Sequence, residues 1–188
     1  MSNECNPFSD KTIVTNILNG NIQAFAIVVK NTEKLVCQIV RKMTSNVDDQ
    51  KDLVQDIYLK VYQNLSSFQF KSKLSTWIAN VAFNTTINYL QKRKITIIGI
   101  EKRMEDQFTA SDNPALETIK TEGVEILNAA VAKLPPLYQT LITLYHMEEL
   151  SNKEISEITN LPEGTIKSYL YRARKILKDN INNKYNNT

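Results

Sequence analysis

The sequence predicts an all-α protein made of two small helical domains joined by a flexible linker. Three observations carry this. Apolar residues recur at helical spacing almost throughout the chain. The 188 residues contain only four glycines and five prolines, so few positions interrupt a helix. Charge is partitioned along the chain rather than mixed. From Gln69 to Lys94 there are five basic residues and no acid, from Ile95 to Asn128 seven acids stand against three bases, and from Ser151 onward seven bases stand against four acids. Two basic blocks separated by an acidic one suggest two modules that face nucleic acid, with a connector between them.

The elements follow in order. A short helix is predicted over Asp10 to Leu18, closed by Gly20. Asn21 is placed to cap a longer helix that runs to about Met43. A third helix covers Asp48 to Leu65 and a fourth Ser75 to Lys94. Periodicity weakens over residues 95–122, where Gly99, Pro114 and many charges mark the linker. The first domain is therefore residues 1–94 and the second 123–188. The second holds a helix ending before Pro135-Pro136, another over Leu137 to Met147, a helix-turn-helix, and an Asn-rich tail from Asn180 to Thr188 that is expected to fray.

Bulk properties remove several classes. Cys5 and Cys37 are the only cysteines, too few for a disulfide framework or a cysteine metal site, which favours a reducing compartment. No basic, then apolar, leader opens the chain and no apolar run approaches about 18 residues, so the expectation is a cytoplasmic protein without membrane insertion. His146 is the single histidine, at a helix end beside Glu148 and Glu149, and reads as a surface residue. With no phosphate-cradling glycine loop, metal-ligand spacing or nucleophile–base pair, neither catalytic residues nor a cofactor or metal is expected.

The sharpest local signal runs from Leu150 to Lys178. Ser151 and Glu154 have capping-box spacing, in which each side chain serves the other residue's free N–H. Asn160 can adopt the left-handed conformation of a tight turn, and Pro162 stands where a new helix begins. At 100° per residue that helix divides in two. Ile166, Tyr169, Leu170, Ala173, Ile176 and Leu177 form one face, which docks on the domain. Thr165, Lys167, Ser168, Tyr171, Arg172, Lys175 and Lys178 form the other, with Arg174 at its edge. The second face carries charges and hydrogen-bonding groups suited to a DNA major groove.

The fourth helix is patterned differently. Its apolar residues are not confined to one stripe: Ile78, Val81, Ala82 and Tyr89 lie on one side, and Phe83, Ile87 and Leu90 on another. Between them runs a row of amides, Asn80, Asn84, Asn88 and Gln91, with Trp77 at its head. Amides can bond base edges and an aromatic can stack on an unpaired base. The alternative is an ordinary polar surface in an Asn-rich chain. Lys92, Arg93 and Lys94 close the helix with phosphate-binding charge, which would equally complement the helix dipole. The preceding loop, Ser66 to Lys73, interleaves Phe68 and Phe70 with Lys71 and Lys73. That pattern suits single-stranded nucleic acid, or hydrophobic anchoring of the loop.

The third helix has an apolar stripe of Val54, Ile57, Tyr58, Val61 and Leu65. Opposite lie Asp49, Asp52, Gln55, Asp56 and Gln63, with Leu59 set among them as a hint of a partner surface.

Together these segments resemble the extracytoplasmic-function group of sigma-70-type RNA polymerase sigma factors. Asp52 to Tyr62 resembles their core-polymerase-binding helix. Phe70 to Lys94 resembles the segment that melts the promoter and reads its −10 element, and Leu134 to Tyr138 with the helix-turn-helix resembles region 4. The resemblance implies that Asp49, Asp52, Gln55, Asp56 and Leu59 face the polymerase clamp helices. It implies a base-capturing loop from Phe68 to Lys73, including Phe70 and Lys71, and −10 contacts from Trp77, Asn80, Asn84, Asn88, Lys92, Arg93 and Lys94. It places −35 reading on Thr165, Lys167, Ser168, Tyr171, Arg172, Arg174 and Lys175, with the apolar faces of the second domain on the polymerase flap. Promoter DNA, core RNA polymerase and an anti-sigma factor are the implied partners. The chain departs from the family's pattern at Tyr169, where Arg is frequent, at Ser156 in place of a small Ala, and at Asn160 in place of Gly.

The competing reading is a stand-alone helix-turn-helix transcriptional regulator. It accounts for the C-terminal unit and leaves the acidic helix and the amide row unexplained.

Overall fold

The computed structural model describes residues 7–93 and 122–186. Among these residues every regular element is helical. Helices α1 (Pro7–Leu18), α2 (Ile22–Met43), α3 (Val47–Asn64) and α4 (Leu74–Lys92) make the first unit, with a 3₁₀ turn at Leu65–Ser67 before the loop that leads into α4. Helices α5 (Glu122–Ala132), α6 (Pro136–His146), α7 (Asn152–Thr159) and α8 (Glu163–Asn186) make the second. The expected linker lies outside the described residues up to residue 121, as does Lys94.

Local chemistry sets several boundaries. Pro7 opens α1, where a missing N–H costs nothing and the fixed φ suits the helix. The helix then reaches Gly20, whose φ of +89° turns the chain at no steric cost. Asn21 caps α2 by accepting from the Ala24 N–H at 3.0 Å, and Asn46 caps α3 through the N–H groups of Asp48 and Asp49. Pro136 begins α6. From Asn180, where fraying is expected, the helix α8 continues to Asn186. Ile181 packs on the core and secures the additional turn, and no glycine or proline follows Gly164 to break it.

The buried apolar side chains of both units form one continuous cluster. Within the first unit it holds Val36, Ile39, Ile57, Val61, Leu65, Ile78 and Leu90, and within the second Leu141, Leu144, Ile155, Ile158, Ile166 and Leu170. Each such side chain contributes about 1.5–3 kcal/mol on burial. Tyr58 is buried with its hydroxyl 3.0 Å from Thr32 Oγ1, and burial pushes its phenol up to about 12.

The units touch along two seams: α2 packs on α6 and α4 on α7. This explains the pattern of α4. Leu74, Ile78, Ala82, Phe83 and Leu90 are all buried because the helix has α2 and α3 on one side and α7 on the other. A single apolar stripe serves a helix with one covered face. Helix α4 has two.

Candidate nucleic-acid interface

The helix-turn-helix forms as its sequence predicts. Ser151 Oγ accepts from the Glu154 N–H at 3.2 Å, and Glu154 Oε2 accepts from the Ser151 N–H at 3.0 Å, completing the capping box. Asn160 follows α7 with φ 57° and ψ 21°, the left-handed conformation. Ser156 Oγ donates to the Leu161 carbonyl at 2.6 Å and fastens the turn, a contact that alanine at 156 would lack. On α8, Ile166, Leu170, Ala173 and Leu177 are buried. Lys167, Ser168, Tyr171, Arg172 and Lys175 are exposed, Tyr171 by 70%, and Thr165 is half-buried. These side chains form one solvent-facing polar and basic strip. Tyr169 is half-buried with its ring 5.5 Å from that of Tyr138, so it belongs to the packing of α8 on α6 rather than to the basic strip. Arg174 is turned toward α6. Its guanidinium donates to His146 Nε2 (3.3 Å from Nε) and lies over the Tyr145 ring at 5.2 Å. Partial burial and the neighbouring Arg174 hold the His146 imidazole below its ordinary value of 6.5.

In the first unit the loop before α4 separates its two aromatics. Phe68 is buried, with its ring 5.5 Å from that of half-buried Trp77, and serves as the anchor. Phe68 thus takes the anchoring role that the loop's pattern also allows, and packing under Trp77 withdraws it from solvent. Phe70 is 46% exposed, rests on Phe68 at 4.7 Å, and has φ +56°. A bulky side chain at positive φ is strained, by about 1–3 kcal/mol, and persists only where the surroundings impose it. Lys71 and Lys73 flank this ring and are exposed.

The amide row occurs as a connected pair and an exposed remainder. The Asn84 Nδ2 donates to Asn80 Oδ1 at 3.0 Å, both residues being half-buried, while Asn88 and Gln91 are exposed. Lys92 and Arg93 are exposed at the end of α4. Arg93 reaches back to Asp49, with Nη1 to Oδ2 at 2.9 Å, and lies over the Tyr89 ring at 4.8 Å. On α3, Asp52, Gln55 and Leu59 are exposed, Leu59 by 55%, and Asp56 pairs with Lys60 at 2.7 Å. Asp49 is drawn from this surface toward Arg93, leaving its side chain 17% exposed.

Three contacts have no clear signature in the sequence. Asp10 of α1 accepts from the Leu74 N–H at 2.9 Å and caps α4, whose own N-cap residue Lys73 offers no acceptor. A helix start without a local cap is the one sequence clue to such a partner. Lys34 on α2 meets Glu148 beyond α6 at 3.0 Å, an ion contact rather than an aligned hydrogen bond. Lys73 pairs with Glu154 at 2.9 Å. Among the described residues no cluster of three or more potential metal ligands occurs, and no helix is long and apolar enough to cross a membrane.

Comparison with known proteins agrees with this geometry. The family model for sigma-70 region 2 matches residues 28–95, and that for sigma-70 region 4 matches residues 125–177. The chain is 31% identical over 176 residues to the ECF RNA polymerase sigma factor SigW of Bacillus subtilis, covering 89% of this chain and 94% of that one. It is 28% identical over 181 residues to the ECF RNA polymerase sigma-E factor of Escherichia coli K12, covering 92% and 94%. Two solved structures share the fold. CnrH, in complex with the cytosolic domain of CnrY, matches at 18% identity with a TM-score of 0.63 over 90% of this chain and 95% of that one. RpoE from Bartonella quintana, in complex with the anti-sigma factor NepR, matches at 22% identity with a TM-score of 0.64 over 84% and 96%.

Proposed function

The chain belongs to the ECF RNA polymerase sigma factors, and from that premise we propose that it binds core RNA polymerase and directs promoter-specific initiation through two separate DNA-reading modules. The observation that carries this is the pair of surfaces: the exposed basic strip of α8, and the Phe70 loop with the amide row of α4. The strip fits a major groove, where Lys167, Arg172 and Lys175 supply charge and Thr165, Ser168 and Tyr171 hydrogen bonds. The first module fits an opened strand. Phe70 offers a ring for an unpaired base, Asn80, Asn84 and Asn88 offer amides for base edges, and Lys71, Lys92 and Arg93 offer phosphate contacts.

Asp52, Gln55, Asp56 and Leu59 form the polymerase-facing side of α3. Leu59, exposed beside Gln55 and Asp56, is the apolar feature that a clamp surface would explain. The protein performs no chemistry of its own and works in the cytoplasm, where the polymerase is. An anti-sigma factor is a proposed further partner, since the structural relative RpoE was solved with one.

The test is run-off transcription with purified core polymerase on a library of genomic fragments, with and without this protein. The expected result is a new set of start sites that disappears when Asp52 and Asp56 are both changed to Lys. A stand-alone regulator would instead retain specific duplex binding without polymerase and leave start-site choice unchanged.

A further inference from the structure

His146 is the only histidine in the chain, and as the last residue of α6 it touches the edge of the DNA-facing strip. Arg174 brings two nitrogens to the same ring atom: Nε lies 3.3 Å and Nη2 3.2 Å from His146 Nε2. A guanidinium has donors and no acceptor, so Nε2 must accept, and the ring is the neutral form protonated on Nδ1. The guanidinium also lies over the Tyr145 ring at 5.2 Å, and that ring meets the imidazole edge-on at 4.9 Å. Among the described residues Arg174 pairs with no carboxylate. Its charge is held in place without being neutralised, and its remaining N–H groups are left for another acceptor.

The position of Arg174 on α8 indicates which acceptor. Tyr171, Arg174 and Lys178 stand one turn apart, so Arg174 borders the reading face rather than occupying its centre. When a helix lies in a major groove, side chains at its border meet the phosphate backbone that walls the groove, not the base edges. His146 and Arg174 are both exposed there.

We propose that His146 and Arg174 form a clamp for one backbone phosphate beside the −35 element, and that closing the clamp takes up a proton. The proposal rests on the assignment of α8 to −35 reading and extends the DNA surface to the end of α6. A phosphodiester oxygen accepts from Nε2 only when that nitrogen carries a proton. Protonation ends the contact with Arg174 and sets two cations side by side, an arrangement that an anion between them relieves. The proton comes from solvent and returns there when the DNA leaves, and no covalent bond to carbon or phosphorus changes. Partial burial, and then Arg174, hold the free imidazole below its ordinary value, so the free chain near neutrality carries the neutral ring.

The other charges around α6 do not supply this anion. Helix α6 is packed by α2, α7 and α8. From α2, Lys34 is paired with Glu148 at 3.0 Å. Glu149 lies in the turn after α6, Lys153 in the first turn of α7, and Lys178 one turn beyond Arg174 on α8. Of these charged groups Arg174 is the one that perturbs the imidazole, and it disfavours the proton. A DNA phosphate between the two side chains reverses that sign.

The test is the pH dependence of DNA binding by holoenzyme reconstituted with the full chain. The probe is a fluorescein-labelled duplex that carries the −35 element of a promoter mapped by run-off transcription and ends before its −10 element. Because the chain has one histidine, the difference between wild type and His146→Gln isolates the imidazole. Relative to that variant, the wild type should gain about fivefold in affinity between pH 7.5 and pH 5.0. Its slope of log K against log salt should steepen by about 0.9 over the same range, and that of the variant should not. Arg174→Ala should lose most of the gain, since the clamp needs both side chains. Equal pH profiles for wild type and His146→Gln would leave His146 off the DNA. An equal gain in Arg174→Ala would assign it to the general field of the duplex. Affinity that falls with pH relative to His146→Gln would make the neutral ring a mere support for Arg174. Each of these three results overturns the clamp. Failure of the wild type to direct any start site with core polymerase would instead overturn the assignment of α8 beneath it. Circular dichroism of each variant at both pH values separates loss of the clamp from unfolding. In the free chain the single imidazole resonance should titrate below 6.5 and move up in Arg174→Ala, and an unmoved midpoint would show that the pair does not form in solution.

Discussion

Arg93 holds Asp49 through two hydrogen bonds, Nη1 to Oδ2 at 2.9 Å and Nη2 to Oδ1 at 3.3 Å, joining the end of α4 to the first turn of α3. By sequence these residues belong to different surfaces, one facing polymerase and one facing DNA. Their pairing means that neither is free to serve its surface without releasing the other. As an ion pair with half-exposed Arg93, it contributes at most about 1 kcal/mol to stability. Its larger consequence is for DNA binding. Asp49→Ala should release Arg93 for a phosphate and steepen the salt dependence of holoenzyme binding to an opened −10 strand by about 0.7 in log K against log salt. A salt titration by fluorescence anisotropy checks this. An unchanged slope would mean that Arg93 does not reach the backbone even when freed.

Asp10 is the cap of α4 despite lying 64 residues before Leu74. Removing a cap acceptor costs about 0.5–2 kcal/mol. We expect Asp10→Ala to lower the stability of the chain by about that amount, and Asp10→Asn to recover most of it, since an amide oxygen also accepts. Chemical denaturation of the three proteins measures it. Loss of stability equal in both variants would assign the role to the charge of Asp10 rather than to its acceptor.

Much of this structure is legible in the sequence, and what is hidden shares one cause. The strip of α8 and the turn at Asn160 depend on neighbours within a few residues, and the spacing of Ser151 and Glu154 carries their cap outright. The stripe on α3 is likewise local in period, although Leu53 rather than Val54 is its fully buried member near the N-terminus. Residues that act across long stretches of the chain are not legible. Asn80, Lys73 and Asp10 each find partners more than sixty residues away, and nothing in a helical period specifies such a partner. The dispersed apolar positions of α4 were the visible trace of this. They record burial on two sides, which periodicity registers only as a weakened stripe. The pattern of the loop before α4 allows its aromatics either to anchor it or to meet a base, and only the contact with Trp77 distinguishes Phe68 from Phe70.

Two groups give the fold a defined response to acid. The His146 imidazole titrates below 6.5 because partial burial and then Arg174 disfavour its charge. Burial opposes ionisation of Glu154, but hydrogen bonds from Lys73 and Ser151 outweigh it, so the carboxyl titrates below its ordinary 4.5. In both cases the unfolded chain binds the proton more readily than the folded one, so stability rises with pH across each window. The His146 contribution is complete above about pH 6.5 and is lost as pH falls toward the lowered value. That of Glu154 is complete above about 4.5 and is lost below it. Thermal melts from pH 7.5 to pH 4 should show a decline beginning near 6.5, absent in His146→Gln, and a second at lower pH, reduced in Glu154→Gln. An identical upper decline in His146→Gln would assign it to another group.

Phe70 supports the most discriminating expectation because its two roles pull in opposite directions. Its φ of +56° is costly for an aromatic side chain, and glycine adopts that conformation without strain. Phe70→Gly should therefore leave the folded protein as stable as the wild type or more so, by up to about 1–3 kcal/mol, since the ring is 46% exposed and little packing is lost. The same change removes the ring proposed to receive an unpaired base, a contact worth about 1–3 kcal/mol. Opening of the −10 element should accordingly fall by about 5- to 150-fold, read by permanganate reactivity of melted thymines in the holoenzyme complex. Duplex binding through α8 should be unaffected. Phe70→Trp should restore opening while keeping the strain. A variant that melts promoters normally and is also more stable would show that the strained aromatic has no part in strand capture. Loss of both stability and opening would make Phe70 a packing residue, which its exposure argues against.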